Sequence, residues 1–208
     1  MSHHTHIFRS QRQPTPKELH CLWAHLTDKQ HTDKPGLLFK VQANGRLIHV
    51  TSEFPVPTQA VTLDTNTFDF LRTVAPAPAP ALRAGQFVTL SGELAYSVHS
   101  TRTGKDVCPV DGRGQLKPEQ AKAFLAYLTR TLGVDCEQAH ANKAITFTWE
   151  DRSEPQDKVW LNDVISVFVT AAVVDPAAVA RLGVAAVGRR KSYGLGHFQI
   201  AEVAEMVE

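Results

Sequence analysis

An alternating proline–alanine segment over residues 74–82 divides this chain and most restricts its possible folds. Proline fixes φ and lacks an amide donor, so the segment can continue neither a helix nor a central strand. Such a sequence favours a stiff extended spacer. We therefore predict two domains, residues 1–74 and 86–208, joined by a linker over 75–85. A solvated loop inside one domain is the alternative.

The first half contains one well-marked helix between two predicted strands. Thr15 can cap this helix, Pro16 suits its first position, and Glu18 completes a capping box. The apolar residues that follow have the spacing of a single buried stripe: Leu19, Leu22, Trp23 and Leu26.

Four strands are predicted in the first half, over residues 5–9, 37–41, 46–52 and 68–74. Asn44 and Gly45 indicate a hairpin between the second and third strands, because this pair accepts positive φ. Pro55 and Pro57 argue against a second helix before the fourth strand. The predicted order is strand, helix, strand, strand, short connection, strand.

The second half repeats this order. Strands are predicted over 86–98, 144–149, 159–174 and 198–203, and residues 102–110 are predicted to fold back on the first of these as a hairpin. One helix is predicted over 118–132, closed by Gly133, and a shorter one from Pro176 to Gly183. Two successive β-α-β-β-α-β units give an α+β protein of tandem ferredoxin-like (RRM-like) domains. The alternative is a single α+β domain whose two halves have similar patterns by coincidence.

The composition excludes several classes of protein. Hydrophobic residues make up 43% of the 208 residues, enough for a buried core. No apolar run approaches the length of about 20 residues that a membrane-spanning helix needs. The three cysteines are isolated from one another, so neither a disulfide framework nor a paired-cysteine metal site is expected. We expect a soluble, cytoplasmic protein without a membrane partner, a metal site or a cofactor.

The charge distribution is more informative than the net charge of +1. Residues 176–201 contain no acidic residue, and four basic residues lie among them: Arg181, Arg189, Arg190 and Lys191. Three glycines, Gly188, Gly194 and Gly196, bracket the last three of these. Glycine lets backbone amides approach an anion closely, and arginine and lysine make charge-assisted contacts to phosphate. The spacing fits neither a Walker loop nor a dinucleotide fingerprint. An ordinary basic loop with turn glycines fits equally well on these grounds alone.

Residues 188–196, followed by His197 and an apolar strand, resemble the glycine-rich signature of the CRISPR repeat-processing endoribonucleases of the RAMP superfamily. The resemblance is to the CasE branch, the processing subunit of Cascade, or to a divergent type IV relative. Residues 17–26 are similar to the first helix of that branch, which bears a catalytic histidine beside a Trp and Leu stripe. Residues 85–90 and 103–110 fit the start of its second domain and a hairpin.

This resemblance implies metal-independent cleavage of precursor crRNA within a repeat stem-loop by attack of a 2′-hydroxyl. The products would be a 2′,3′-cyclic phosphate and a 5′-hydroxyl. Such enzymes often keep their product and join other subunits of a CRISPR ribonucleoprotein complex. The alternative function is a non-catalytic RAMP subunit that binds crRNA structurally.

The resemblance also implies roles for particular residues. His20 matches the catalytic position. His25 is the second candidate, because the spacing from His20 to Trp23 is one residue tighter than in the family. The two histidines lie on opposite flanks of the apolar stripe, so they are not expected to share a site. Lys191 matches the cation that stabilises the phosphate. The remaining candidates are expected to bind RNA: Arg102, Lys105, Arg113, Arg189, Arg190, Gly194 and Gly196. An imidazole suits the proton transfer because its unperturbed pKa is near 6.5. Without the resemblance, a flank histidine is more often an exposed residue with no role.

Overall fold

The computed structural model describes residues 4–27, 37–41, 45–52, 55–75, 81–100, 104–152, 161 and 163–204. These residues divide into two compact units. The N-terminal unit contains the described residues of 1–78, 184–186 and 190–197. The C-terminal unit contains those of 79–183, 187–189 and 198–208. Each unit is an antiparallel sheet with helices, which confirms the predicted α+β class.

This division differs from the predicted domain boundaries in one respect. The sequence assigns the whole glycine-rich segment to the second domain, whereas residues 190–197 pack within the N-terminal unit. A loop that follows one domain in sequence can still pack against the other domain, and sequence order alone does not indicate which. Residues 76–80 of the predicted linker and residues 42–44 of the predicted hairpin turn lie outside the described residues.

The N-terminal unit is a five-stranded sheet with one helix. Its elements are β1 (His4–Ser10), α1 (Pro16–Leu26), β2 (Leu37–Val41), β3 (Leu47–Ser52), β4 (Val61–Leu63) and β5 (Asn66–Val74). The strand order is β2-β3-β1-β5-β4, and all the pairs are antiparallel. The short strand β4 is absent from the prediction. It occupies the place of a second helix, and the described residues between β3 and β5 form no helix.

Period-two alternation in the strands and the stripe of α1 together build the core of this unit. Phe8, Ile48 and Phe68 are fully buried against the helix. The helix contributes Leu19, Leu22 and Leu26 to the same cluster. Each such side chain contributes about 1.5–3 kcal/mol relative to an exposed position. This packing holds α1 against the sheet and so fixes the direction of its flanks.

The C-terminal unit has the complete ferredoxin order. Its elements are β6 (Phe87–Ala95), β7 (Val98–Ser100), β8 (Lys105–Val107), α2 (Pro118–Leu132), α3 (Cys136–Ala141), β9 (Ile145–Glu150), β10 (Val164–Ala172), α4 (Pro176–Leu182) and β11 (Phe198–Ala204). The four main strands are antiparallel in the order β11-β6-β10-β9. The predicted α2 and α4 are confirmed with their bounds, and α3 is an additional helix.

The predicted long strand over 86–98 is shorter than expected. It ends at Ala95, where the Tyr96 amide donates to the Asp163 carbonyl at 3.0 Å. Residues 102–110 do form a hairpin strand, β8, but it pairs with β7 in a separate two-stranded sheet rather than with the long strand β6. Among the described residues, no helix is both long and apolar enough to cross a membrane.

Candidate functional site

The first turn of α1 is fixed immediately before His20. The Glu18 amide donates to Thr15 Oγ1 at 3.2 Å, and the Thr15 amide donates to Glu18 Oε2 at 2.8 Å. This is the capping box that the sequence predicts. Arg12 Nη2 also donates to Glu18 Oε1 at 2.6 Å, so the buried carboxylate is paired. The helix therefore holds His20 in a defined direction, half-buried on the flank of the apolar stripe.

Residues 190–194 form a tight turn between two left-handed backbone positions. Arg190 has φ +57 and Gly194 has φ +82, and Lys191–Tyr193 between them is one turn of 3₁₀ helix. The Tyr193 and Gly194 amides donate to the Arg190 and Lys191 carbonyls, both at 3.0 Å. Left-handed backbone is costly for a residue with a side chain, and Arg190 adopts it here, as Asp64 and Lys143 do elsewhere in the chain. The 3₁₀ turn packs against α1 and β2.

This turn brings two side chains onto the imidazole of His20. His20 Nδ1 lies 3.0 Å from Ser192 Oγ, across 172 residues of sequence. The ring of Tyr193 stacks on the imidazole with a centroid distance of 4.9 Å and an interplanar angle of 13°. A hydrogen bond and a stacked ring together fix both the position and the plane of the imidazole. Lys191 immediately precedes Ser192, so a cation lies next to this contact in the chain.

Ser192 is a site residue that sequence reasoning missed. The only sequence signal for Ser192 is its position beside Lys191 in the glycine-rich segment. Serine is common in loops, so this position alone does not identify it as a functional residue. Tyr193 packs its ring on the candidate catalytic histidine.

The structure separates His25 from His20. His25 is exposed in the last turn of α1. Five residues at about 100° each place it about 140° around the helix from His20. The two histidines therefore lie on different flanks, as the sequence predicts.

The start of the glycine-rich segment is held within the C-terminal unit. Arg189 pairs with Ala95 in an isolated antiparallel bridge, and its side chain is exposed. A Cβ at Gly188, which has φ +80, would lie 3.1 Å from Tyr127 Oη. Burial raises the pKa of Tyr127, and the Thr131 hydrogen bond and the Arg189 charge act in the opposite direction. Arg189 and Arg190, adjacent in sequence, thus belong to different units.

The other predicted RNA-binding residues lie around the β7–β8 hairpin and the turn that follows it. Lys105 and Arg113 are exposed, whereas Arg102 lies outside the described residues. Asp111 accepts the Arg113 and Gln115 amides at 2.9 Å, and these bonds lower the pKa of the carboxyl. The turn therefore presents Arg113 on an ordered backbone. Gly196, the last of the predicted residues, is buried with φ +85.

Among the described residues, no group of three or more His, Cys, Asp or Glu side chains could hold a metal ion. The contacts of His20 include the Ser192 hydroxyl and the Tyr193 ring, and Arg190 and Lys191 belong to the same turn. A hydroxyl, an imidazole and neighbouring cations are groups that suit proton transfer and binding of an anion.

No family model matches the sequence, and no curated protein matches it. Solved structures do match. Thermus thermophilus Cse3 bound to an RNA representing a pre-cleavage complex has a TM-score of 0.59 and 14% identity, over 99% of this chain and 100% of that one. A CRISPR endoribonuclease Cse3 bound to a 19-nucleotide RNA has a TM-score of 0.56 and 17% identity over the same shares. This chain has the fold of Cse3.

A third match comes from a CRISPR RNA-guided surveillance complex. That chain has a TM-score of 0.54 and 15% identity, over 98% of this chain and 100% of the matched chain. The three matches span this chain from end to end, so they confirm the CasE-like, two-unit fold that the sequence predicts.

Proposed function

We propose that this chain is an endoribonuclease that binds a CRISPR repeat stem-loop and cleaves precursor crRNA without a metal ion. The observation that carries the proposal is the contact between His20 and Ser192 at 3.0 Å. It joins the only histidine of α1 that matches the family position to the cationic glycine-rich segment. The Cse3 fold supports the same reaction, because solved proteins with that fold include an endoribonuclease bound to RNA.

In the proposed reaction the ribose 2′-oxygen attacks the adjacent phosphorus. The 2′-hydroxyl proton leaves to a base, the bond from phosphorus to the 5′-oxygen breaks, and that oxygen gains a proton. The products are a 2′,3′-cyclic phosphate and a 5′-hydroxyl. General acid–base catalysis of such proton transfers typically contributes 10²–10⁴-fold to the rate.

His20 carries one of the two proton transfers at Nε2, and its Nδ1–H donates to the Ser192 hydroxyl in either case. A neutral imidazole accepts the 2′-hydroxyl proton at Nε2, whereas a protonated imidazolium gives its Nε2 proton to the 5′-oxygen. The stack on Tyr193 keeps the ring plane constant during either transfer.

Lys191 stabilises the extra negative charge on the pentacovalent phosphate. Arg189 and Arg190 contact the neighbouring RNA backbone, where arginine binds phosphate bidentately. Lys105 and Arg113, with Arg102, contact the stem, since A-form RNA is recognised largely by shape and backbone charge. Gly194 and Gly196 supply the positive φ values that this loop needs. The product remains bound, and the protein joins a CRISPR ribonucleoprotein complex.

The decisive experiment is cleavage of a repeat stem-loop RNA in EDTA by the parent protein and by His20→Ala. We expect a discrete cut by the parent and a loss of at least about a hundredfold in the single-turnover rate for the variant, with RNA affinity within a few-fold. His25→Ala is the matched control on the same helix and should cleave at the parental rate.

Three outcomes would contradict the proposal or redirect it. RNA binding without any cut by the parent would indicate a non-catalytic crRNA-binding subunit. Equal rates for His20→Ala and the parent would remove His20 from the mechanism, and a cut that requires a divalent metal would refute the metal-independent reaction.

A further inference from the structure

A row of basic residues crosses the sheet of the N-terminal unit from β2 to β5. The strand register pairs Lys40 with His49, His49 with Ile7, and Ile7 with Arg72. Directly paired residues project from the same face of a sheet, and neighbouring strands are about 4.8 Å apart. Lys40, His49 and Arg72 therefore lie along one line, roughly 14 Å from end to end. Ile7 lies between His49 and Arg72, and the register of β1 and β5 shifts immediately after this pair.

The basic row, Lys40–His49–Arg72, lies on the face opposite α1. Ile48 and Val50 flank His49 in β3, and both pack in the core with the helix. Because side chains alternate along a strand, His49 and its paired neighbours project from the other face. Arg72 is exposed, and Lys40 and His49 are half-buried.

His197, the residue that follows the glycine-rich segment, lies close to one end of the basic row. Burial, followed by the charges of Lys40 and His49, lowers the pKa of His197 to about 4. Burial also lowers the pKa of His49, and the charges of Lys40 and Arg72 lower it further. The groups of the row thus act on one another as like charges.

The neighbouring row of the same face is different. There Arg9 of β1 pairs directly with Asp69 of β5, so their charges offset each other. Like charges held side by side destabilise a folded protein, whereas a bound anion makes the same arrangement favourable. A line of basic groups on a sheet, here divided only by the buried Ile7 between His49 and Arg72, is therefore complementary in charge to a polyanion.

We propose that the basic row binds the phosphate groups of a single-stranded RNA segment next to the repeat stem. This rests on the proposed function. The length of the row exceeds what one phosphate can contact, and an extended strand can present successive phosphates along it. Lys40 and Arg72 supply charge-assisted hydrogen bonds, and His49 and His197 supply imidazole donors between and beside them.

The test compares two RNAs in the His20→Ala background, in which the proposed cleavage is blocked. One RNA is the repeat stem-loop alone, and the other carries its single-stranded flanks. The variant is Lys40→Ala with Arg72→Ala. The control, Lys122→Ala with Arg130→Ala, removes one exposed lysine and one exposed arginine from α2.

For the flanked RNA we expect the row variant to bind about tenfold more weakly, and its log–log salt slope to fall by about 1.4. Binding of the stem-loop alone should stay within twofold of the parent. The α2 control should leave both affinities within twofold of the parent. If the alanine variant folds poorly, a second row variant, Lys40→Gln with Arg72→Gln, replaces it. This variant keeps polar side chains, and we expect it to show the same loss of affinity for the flanked RNA.

Parental affinity for the flanked RNA in a folded row variant would overturn this inference and leave the proposed function standing. Equal losses for both RNAs would also overturn it, because the row would then not distinguish the single strand. Failure of the His20→Ala protein itself to bind either RNA would refute the proposed function and the row together.

Discussion

The two units share a strand order but differ in how they complete it. The C-terminal unit has helices in both positions of the ferredoxin pattern, and it contains the larger of the two hydrophobic clusters. The N-terminal unit has α1 alone, with β4 in the second position, and includes residues 190–197 from near the other end of the chain. The candidate catalytic histidine lies in the less complete unit.

This difference shows how a ferredoxin pattern can be adapted to hold a site. The C-terminal unit is built mainly from one stretch of chain, residues 79–183, and is completed by 187–189 and the strand β11. In the N-terminal unit, the 3₁₀ turn at Lys191–Tyr193 packs on α1 and orients His20 through Ser192. A site assembled from distant segments forms only once both are folded, which couples folding to the chemistry.

The largest expected effect comes from removing a core side chain from each unit. Leu22 in α1 and Leu128 in α2 are both 0% exposed. Replacing either with alanine should cost about 2–5 kcal/mol of unfolding free energy. By hydrogen exchange, Leu22→Ala should speed exchange in the N-terminal unit, including the Tyr193 and Gly194 amides. Leu128→Ala should leave those two amides protected, and equal responses would show that the units unfold as one.

The next comparison uses two glycines with positive φ. A Cβ at Gly114, in the C-terminal unit, would overlap the Phe147 carbonyl oxygen. A Cβ at Gly194, in the N-terminal unit, would come no closer than 3.7 Å to Leu19. Gly114→Ala should therefore destabilise by about 2–3 kcal/mol, from overpacking as well as φ strain, and Gly194→Ala by about 1 kcal/mol. Denaturant unfolding measures both, and the opposite order would contradict these contacts.

The pH dependence of stability provides a smaller test in the N-terminal unit. The pKa of His197 falls from its ordinary 6.5 to about 4 in the folded protein, mainly through burial. On acidification the unfolded chain therefore binds the proton first, so the unfolding free energy decreases from about pH 6.5 to about pH 4. Over this pH range, the unfolding free energy of His197→Gln should decrease less than that of the parent. His140→Gln, an exposed change in the C-terminal unit, is the control, and identical pH profiles for both variants would contradict the burial of His197.

The smallest expected effects are those of the two adjacent arginines. Arg189→Ala and Arg190→Ala should each lower the salt slope of RNA binding by about 1 at most. Arg190 lies in the turn that contacts His20, so Arg190→Ala should also slow cleavage, whereas Arg189→Ala should affect affinity alone. Loss of cleavage in Arg189→Ala at saturating RNA would contradict a role for Arg189 in affinity alone.

The local features of the fold are the ones that sequence predicts best. The bounds of α2 follow from Pro118 at its start and Gly133, with φ +72, at its end. The start of α1 follows from the Thr15–Glu18 capping box. In each case the deciding contacts lie within four residues. The short helix α3 escaped prediction because six residues present no recognisable apolar stripe, although Asp135 does cap it.

The amino-acid sequence by itself determined α1, α2, α4 and most strands. The proposal of His20 over other histidines needed the family resemblance as well. Only the tertiary structure decided that Ser192 bonds to His20, that residues 190–197 pack within the N-terminal unit, and that Lys40, His49 and Arg72 share one row. Caps and periodicity act between near neighbours, so they can be read along the chain. Strand register and loop packing join residues far apart in sequence, and no local pattern specifies which partners meet.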